Sequence, residues 1–130
     1  MSGRVVAFMR AFAQAFVAEA KRVFVYRHGI EIAEQIPTRL VWRSRGRETV
    51  ADQRLSAVMR NGRVMARFAS IQSIDIQRDG RSDGPERWNV SLHMGGRSRL
   101  HLASSRDATD ASILAAHLST LTGKKVQAFR

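Results

Sequence analysis

The stretch RLSAVMRNGRVMARF, residues 54–68, carries the strongest local folding signal in this chain of 130 residues. Its centre, Asn61-Gly62, favours a β-hairpin with a two-residue type I′ turn, because both central residues of that turn need a positive φ. Such a turn fixes the register, so we expect Arg60 to face Arg63. In that register one face of the hairpin is apolar, and the other carries four arginines, namely Arg54, Arg60, Arg63 and Arg67.

Arg60 and Arg63 would stand directly opposite each other on this basic face, which is unfavourable for like charges. Water and salt, a nearby acid such as Glu48 or Asp52, or an anionic partner could offset the repulsion. The sequence favours the first two, since exposed charges are usually solvated or weakly paired. Three further arginines, Arg43, Arg45 and Arg47, fall in a basic loop that the sequence predicts at residues 43–48.

A second hairpin is predicted in WNVSLHMGGRSRLHLA, residues 88–103. A three-residue loop at 95–97 would place Leu92 opposite Leu100 and Val90 opposite Leu102, which keeps the apolar residues on one face. SIQSIDIQ, at 70–77, reads as a strand, and VFVYRHGIEI and TRLVWRS read as two earlier ones. Trp42, in the last of these, is expected in the core, with stacking against a ligand as the alternative.

A helix is predicted at each end of the chain. Residues 4–22 show apolar side chains at helical spacing, including three phenylalanines, Phe8, Phe12 and Phe16. This stripe could pack on its own domain, form a dimer contact, or lie in a membrane interface. The second helix is expected to begin after Asp107 as the N-cap and to end at Gly123.

The composition is strongly basic, with 22 Lys and Arg against 11 Asp and Glu and a formal net charge of +11. Such a field attracts nucleic acid, anionic lipid or an acidic protein. The chain has no cysteine, which fits a reducing compartment. We therefore expect a cytoplasmic protein, and the alternative is a protein bound at the periphery of a membrane. The most apolar stretch, residues 5–20, is interrupted by Arg10, Gln14 and Glu19, so no transmembrane span is predicted.

The sequence contains no G-x-S-x-G elbow, P-loop or dinucleotide-binding fingerprint, and no cysteine nucleophile. The His93 and His101 side chains are expected on the outer face of the second hairpin, without an evident third ligand for zinc. We therefore predict a protein that is not an enzyme, with no catalytic residues, no cofactor and no metal.

Residues 54–126 resemble the small bacterial pleckstrin-homology-like domains. The resemblance rests on FASIQSIDI, on the WNVSLHM and RSRLHL hairpin, and on the helix DASILAAHLSTLTGKKV. It implies a rolled antiparallel sheet that forms a partly open barrel, with the helix capping one end, and a role as a binding or scaffold module. The fold class expected is therefore α+β, with an amphipathic helix at 1–22 and a single domain at 23–130.

Three functions follow as expectations. The first is a non-enzymatic binding or assembly module for an acidic protein partner, or for a second copy of the chain. It would act through the seven arginines of residues 43–67 or through the phenylalanine helix. The second is an accessory nucleic-acid binder that holds phosphates. The third is peripheral attachment to an anionic membrane through the first helix.

Overall fold

The computed structural model describes residues 29–80 and 86–129. Within them the chain forms nine strands and one α-helix: β1 (Ile30–Ile36), β2 (Arg39–Ser44), β3 (Arg47–Asp52), β4 (Ala57–Arg60), β5 (Arg63–Arg67), β6 (Ser73–Asp79), β7 (Arg87–Gly95), β8 (Ser98–Ser105), α1 (Ala108–Thr122) and β9 (Val126–Phe129). The predicted helix at 4–22 lies outside the described residues.

The strands form two hydrogen-bonded sheets. Sheet 1 is an antiparallel meander in the order β1-β2-β3-β4-β5, and sheet 2 has the order β8-β7-β6-β9. α1 connects β8 to β9, which pairs parallel with β6. A crossover of this kind is what a parallel pair requires.

The predicted α+β class with one rolled sheet and a partly open barrel is therefore wrong. The described residues are mostly β, with 58% in strands, and they are divided between two sheets. The division falls where β5 ends in a short 3-10 turn, Phe68–Ser70, after which β6 pairs with β7 and β9 rather than with β5. Strand-like periodicity identifies a strand but does not say which neighbour it will pair with.

The core lies between the inner face of sheet 1, one face of sheet 2, and α1. Trp42 at its centre has 0% of its surface exposed, which confirms that it is a core residue. The apolar side chains that join it come from all three elements and include Leu40, Ala51, Val58 and Ala66 of sheet 1, Ile74, Ile76, Val90, Leu92 and Leu102 of sheet 2, and Ala111, Leu114, Ala115, Leu118 and Leu121 of α1.

The backbone edge of β8 is held by side chains from the inner face of sheet 1. The Trp42 indole Nε1 donates to the Leu102 carbonyl at 3.4 Å. The Ser44 hydroxyl donates to the Ser104 carbonyl at 3.4 Å and accepts from the Ser104 N–H at 3.1 Å. Because β8 is an edge strand of sheet 2 in the described residues, these bonds satisfy backbone groups that a sheet edge otherwise leaves unpaired.

The first hairpin has the predicted turn, but only part of the predicted register. Asn61 and Gly62 have φ of 54° and 75°, and Arg60 pairs with Arg63 as expected. Beyond them the register shifts, so that Val58 rather than Ala57 pairs with Ala66. The shift leaves one extra residue on β5, as in a β-bulge.

This shift separates the arginines that were predicted to share one face. Arg67 now pairs with Ala57, on the face opposite to that of Arg60 and Arg63. The shift also brings Val58 and Ala66 together in the core, while the neighbouring Val64 and Met65 side chains are 49% and 40% exposed. Burial of the Val58–Ala66 pair in the core gives a physical reason for the shift, since the register decides which side chains face the core.

The second hairpin and the final helix follow the sequence more closely. Leu92 pairs with Leu100 as predicted, but Gly95 pairs with Ser98, and Val90 pairs with Ala103 instead of Leu102. Two register shifts in the ladder account for both differences.

Both predicted ends of α1 are confirmed. The Asp107 carboxylate accepts from the Thr109 N–H at 2.9 Å, and Gly123 adopts the left-handed conformation with φ 77°. These contacts satisfy backbone groups that have no partner within the helix.

Ser44→Ala is expected to lower the free energy of unfolding by about 1–3 kcal/mol, because the buried N–H and carbonyl of Ser104 both lose their hydroxyl partner. Urea denaturation measures the change. Ser98→Ala is the matched control, since Ser98 is an exposed β8 residue. An equal effect of the two substitutions would show that the Ser44 contact contributes nothing specific.

Candidate anion-binding site

A concave surface lies at the turn end of β3, β4 and β5. We call it the arginine groove; it has a volume of about 590 Å³ and is lined by Arg47, Arg60, Asn61, Arg63 and Met65. Arg60 faces Thr49 on one side and Arg63 on the other, and Arg47 lies two residues before Thr49 on the same face. Strand pairing therefore places all three guanidinium groups on the inner face of sheet 1, at its rim.

Arg60 is the best-fixed of these arginines. Its Nε donates to the Thr49 hydroxyl at 3.2 Å, and its Nη2 donates to the His101 carbonyl of β8 at 3.4 Å. Burial lowers the pKa of Arg60 below its ordinary value, and the charge of Arg47 lowers it further. Arginine stays protonated despite such shifts, so the groove contains a partly desolvated positive charge.

The carboxylates of sheet 1 lie away from this groove. Glu34 pairs with Arg39 at 2.6 Å, and Glu31 pairs with Arg43 at 3.4 Å. Arg43 also stands opposite Glu48 in the β2–β3 ladder, on the outer face. The outer face of sheet 1 therefore carries both acidic and basic side chains, whereas no carboxylate lines the groove on the inner face.

No ion pair joins Arg47, Arg60 or Arg63 to a carboxylate within 4.0 Å in the described part of the chain. The Asp52 carboxylate instead accepts from the Arg54 N–H at 2.9 Å. The expectation that a neighbouring acid such as Glu48 or Asp52 offsets the Arg60–Arg63 repulsion is therefore wrong for these residues. The other sources that the sequence analysis named are solvent and an external anion.

The seven arginines singled out from the sequence are thus only partly brought together. Arg47, Arg60 and Arg63 line the groove, and Arg45 lines a neighbouring pocket. The other three lie elsewhere: Arg43 in an outer-face ion pair, Arg54 in the turn after β3, and Arg67 on the outer face of β5. The predicted partner residues Phe8, Phe12 and Phe16 lie outside the described residues.

Arg45 has an unusual backbone conformation. It forms the two-residue turn between β2 and β3 with Gly46, and the two have φ of 55° and 76°. This is the turn geometry of Asn61-Gly62, with arginine where asparagine or glycine is preferred. A long side chain in the left-handed region costs on the order of 1 kcal/mol, and such strain concentrates at functional positions.

His101 lies beside the arginines, which the sequence analysis did not anticipate. Its Nε2 is 3.0 Å from the Ser104 hydroxyl and 3.4 Å from the Asn89 side-chain oxygen. Burial lowers the pKa of His101 from its ordinary 6.5, and the charges of Arg45, Arg60 and Arg47 lower it further. The imidazole is therefore neutral at pH 7. Only the packing of β8 against sheet 1 reveals this neighbourhood.

The described residues contain no group of three or more His, Cys, Asp or Glu side chains arranged to hold a metal ion. The buried carboxylate of sheet 2, Asp75, is 0% exposed and is satisfied by other contacts. It accepts from the Ser73 hydroxyl at 2.8 Å and forms an ion pair with Arg99. Such pairing is what a buried charge requires.

Comparison with known proteins gives no relatives for this chain: no protein-family model, no curated protein and no solved structure matches it. The resemblance to bacterial pleckstrin-homology-like domains therefore stays a prediction. In residues 29–80 and 86–129, no helix has the length and apolar character needed to cross a membrane.

Arg45→Asn is expected to raise the free energy of unfolding by about 1 kcal/mol, since it creates an Asn-Gly turn and relieves the left-handed arginine. For a domain of this size that corresponds to a melting temperature roughly 4 °C higher. Arg97→Asn is the control, because it removes the same charge from an exposed turn without a positive φ. A stability gain that is equal in the two variants would indicate relief of charge repulsion instead.

The free energy of unfolding is expected to fall as the pH is lowered through 6.5. Unfolded His101 takes up a proton near its ordinary pKa of 6.5, whereas folded His101 does so only at lower pH. Its contribution is therefore fully present above 6.5 and is lost as the pH falls through the folded-state value. Urea denaturation from pH 8 to pH 5 should show a shallower pH dependence for His101→Asn than for the wild type; identical slopes would contradict the assignment.

Proposed function

We propose that this protein is a non-enzymatic binding module whose arginine groove receives an acidic segment of a protein partner. The observation that carries the proposal is the clustering of Arg47, Arg60 and Arg63 with no carboxylate among the residues that line the groove. Guanidinium groups bind carboxylates through paired, charge-assisted hydrogen bonds. An acidic segment would also relieve the repulsion between the opposed Arg60 and Arg63.

The geometry supports a partner that binds by complementary charge. The Arg60 side chain is fixed by hydrogen bonds to Thr49 and to the β8 backbone. It therefore loses little conformational freedom when it binds a partner. The net charge of +11 would speed the approach of an acidic partner. The groove lining has no carboxylate, histidine, serine or cysteine, and thus no ordinary nucleophile or acid–base group.

The chemistry of the groove favours an acidic polypeptide over single-stranded nucleic acid. Single strands are held by aromatic side chains on which the bases stack, and the groove has none. Trp42 is fully buried, and Trp88 packs against the core. Met65 lines the groove beside the arginines, which suits a peptide that carries apolar as well as acidic side chains.

Nucleic-acid binding through phosphates alone is the alternative, favoured by the high net charge and by groove arginines that form no ion pair with a described carboxylate. Phosphate contacts position a protein on a duplex without reading its bases, so they need no aromatic residue. Self-association is a further alternative, in which a second copy of the chain takes the place of the acidic partner. Membrane attachment depends on Phe8, Phe12 and Phe16, which the structure does not describe.

The test is a fluorescence titration with a labelled glutamate-rich peptide, with Arg47→Gln/Arg63→Gln compared with Arg54→Gln/Arg67→Gln. Both double variants lose two positive charges, but only the first alters the groove. We expect the groove variant to weaken binding tenfold or more, which is about 1.4 kcal/mol, and the control variant to weaken it much less. Circular dichroism checks that both variants are folded.

Equal weakening by the two double variants would contradict the groove and indicate attraction by net charge alone. A labelled duplex DNA in the same salt series distinguishes the alternative. Tighter binding of the duplex than of the peptide, with a steep loss of affinity as the salt concentration rises, would indicate that the partner is nucleic acid rather than an acidic protein. Sedimentation at several concentrations shows whether the partner is a second copy.

A further inference from the structure

A second basic pocket lies on the other side of the β2–β3 turn. It has a volume of about 170 Å³ and is lined by Arg45, Arg87, Ser104 and Arg106. It shares no lining residue with the arginine groove and has less than a third of that groove's volume. A space of this size suits a single small group rather than an extended segment.

Three separate parts of the fold bring these arginines together. Arg87 begins β7 and Arg106 follows β8, and the two strand ends are adjacent because Trp88 pairs with Ser105. Arg45 arrives from sheet 1, since the preceding Ser44 is bonded to the backbone of Ser104. The contact that holds β8 against sheet 1 thus also assembles the pocket.

Three described carboxylates that are close in sequence to Arg87 and Arg106 are engaged elsewhere. Glu86 forms an ion pair with Arg78. Asp107 caps α1 through the Thr109 N–H at 2.9 Å, and Asp110 accepts from the Ser105 hydroxyl at 3.0 Å. Among the described residues no carboxylate lies within 4.0 Å of the Arg45, Arg87 or Arg106 guanidinium groups.

The backbone conformation of Arg45 is an independent observation that supports a binding role for its guanidinium group. Its φ of 55° is the geometry that another two-residue turn, Asn61-Gly62, achieves with a favoured residue. An asparagine at position 45 would fit the turn better and would remove one of three mutually repelling charges. A strained arginine at a position where a relaxed neutral residue fits is typical of a functional position, and a ligand for the guanidinium group would account for it.

We infer that the pocket formed by Arg45, Arg87 and Arg106 binds a single phosphoryl group. Three guanidinium groups offer paired N–H donors in a geometry that matches phosphate oxygens, and a dianion offsets most of their combined charge. The Ser104 hydroxyl already donates to the Asn89 side-chain oxygen at 2.7 Å, so the arginines supply the donors. The phosphoryl group belongs to inorganic phosphate or to a soluble phosphate monoester.

The experiment measures binding of inorganic phosphate and of glycerol 1-phosphate to the full chain, at constant ionic strength set with chloride. The NMR signals of the arginine Nε–H groups report the site directly, and the melting temperature reports stabilisation. We expect a dissociation constant on the order of 1 mM, since one anion in an open pocket supplies only about 4 kcal/mol. The perturbed signals should be those of Arg45, Arg87 and Arg106.

Substitutions separate this pocket from the general charge of the protein. Arg87→Gln/Arg106→Gln should lose the phosphate response, and Arg106→Lys, which keeps the charge but not the paired donors, should weaken it several-fold. Arg45→Asn should weaken binding while raising the melting temperature without phosphate. Arg97→Gln and the groove variant Arg47→Gln/Arg63→Gln are the controls and should retain the response, so this inference can fail independently of the proposed function.

The outcomes divide clearly. A response to either phosphate compound that depends on Arg87 and Arg106 supports the pocket; a tighter glycerol phosphate identifies a monoester, and a tighter inorganic phosphate identifies the free anion. No response beyond that of chloride would overturn the inference. A response that the control variants lose equally would also overturn it, since it would show a diffuse charge effect.

Discussion

The contact between the backbone edge of β8 and the inner face of sheet 1 is the constraint on which the rest of this structure depends. Trp42 and Ser44 bond to the backbone of Leu102 and Ser104, which satisfies a strand edge that would otherwise need water or another strand. The same contact closes the core over Trp42. It also fixes the turn at Arg45 beside the end of β8, and so determines where the basic side chains meet.

The acidic side chains of sheet 1 are distributed unequally between its two faces. On sheet 1, Glu31 and Glu34 are paired with arginines on the outer face, whereas the rim of the inner face carries guanidinium groups alone. Like charges in a partly desolvated place lower the stability of the fold. The Arg45-Gly46 and Asn61-Gly62 turns of sheet 1 both have positive φ at their two central residues, yet one holds a favoured asparagine and the other a strained arginine. Both features lower the stability of the fold on the basic rim of sheet 1.

Local signals in the sequence predicted local structure well. The Asn61-Gly62 turn, the pairing of Leu92 with Leu100 and both ends of α1 depend on a few neighbouring residues, and all were predicted correctly. The prediction of which residues share a face of the first hairpin was wrong because the register shifts at Val58. Such a shift changes which side chains are buried in the core, and a strict alternation of apolar and polar residues cannot predict it.

The sequence by itself determined the Asn61-Gly62 turn, the final helix, the burial of Trp42 and the excess of positive charge, because these depend on residue type and short-range geometry. Tertiary structure alone decided that the strands divide into two sheets, that Arg67 leaves the face of Arg60 and Arg63, and that Arg45 meets Arg87 and Arg106. These outcomes depend on which distant surfaces bury one another. That choice is made by the packing of the whole core, and no short stretch of the chain encodes it.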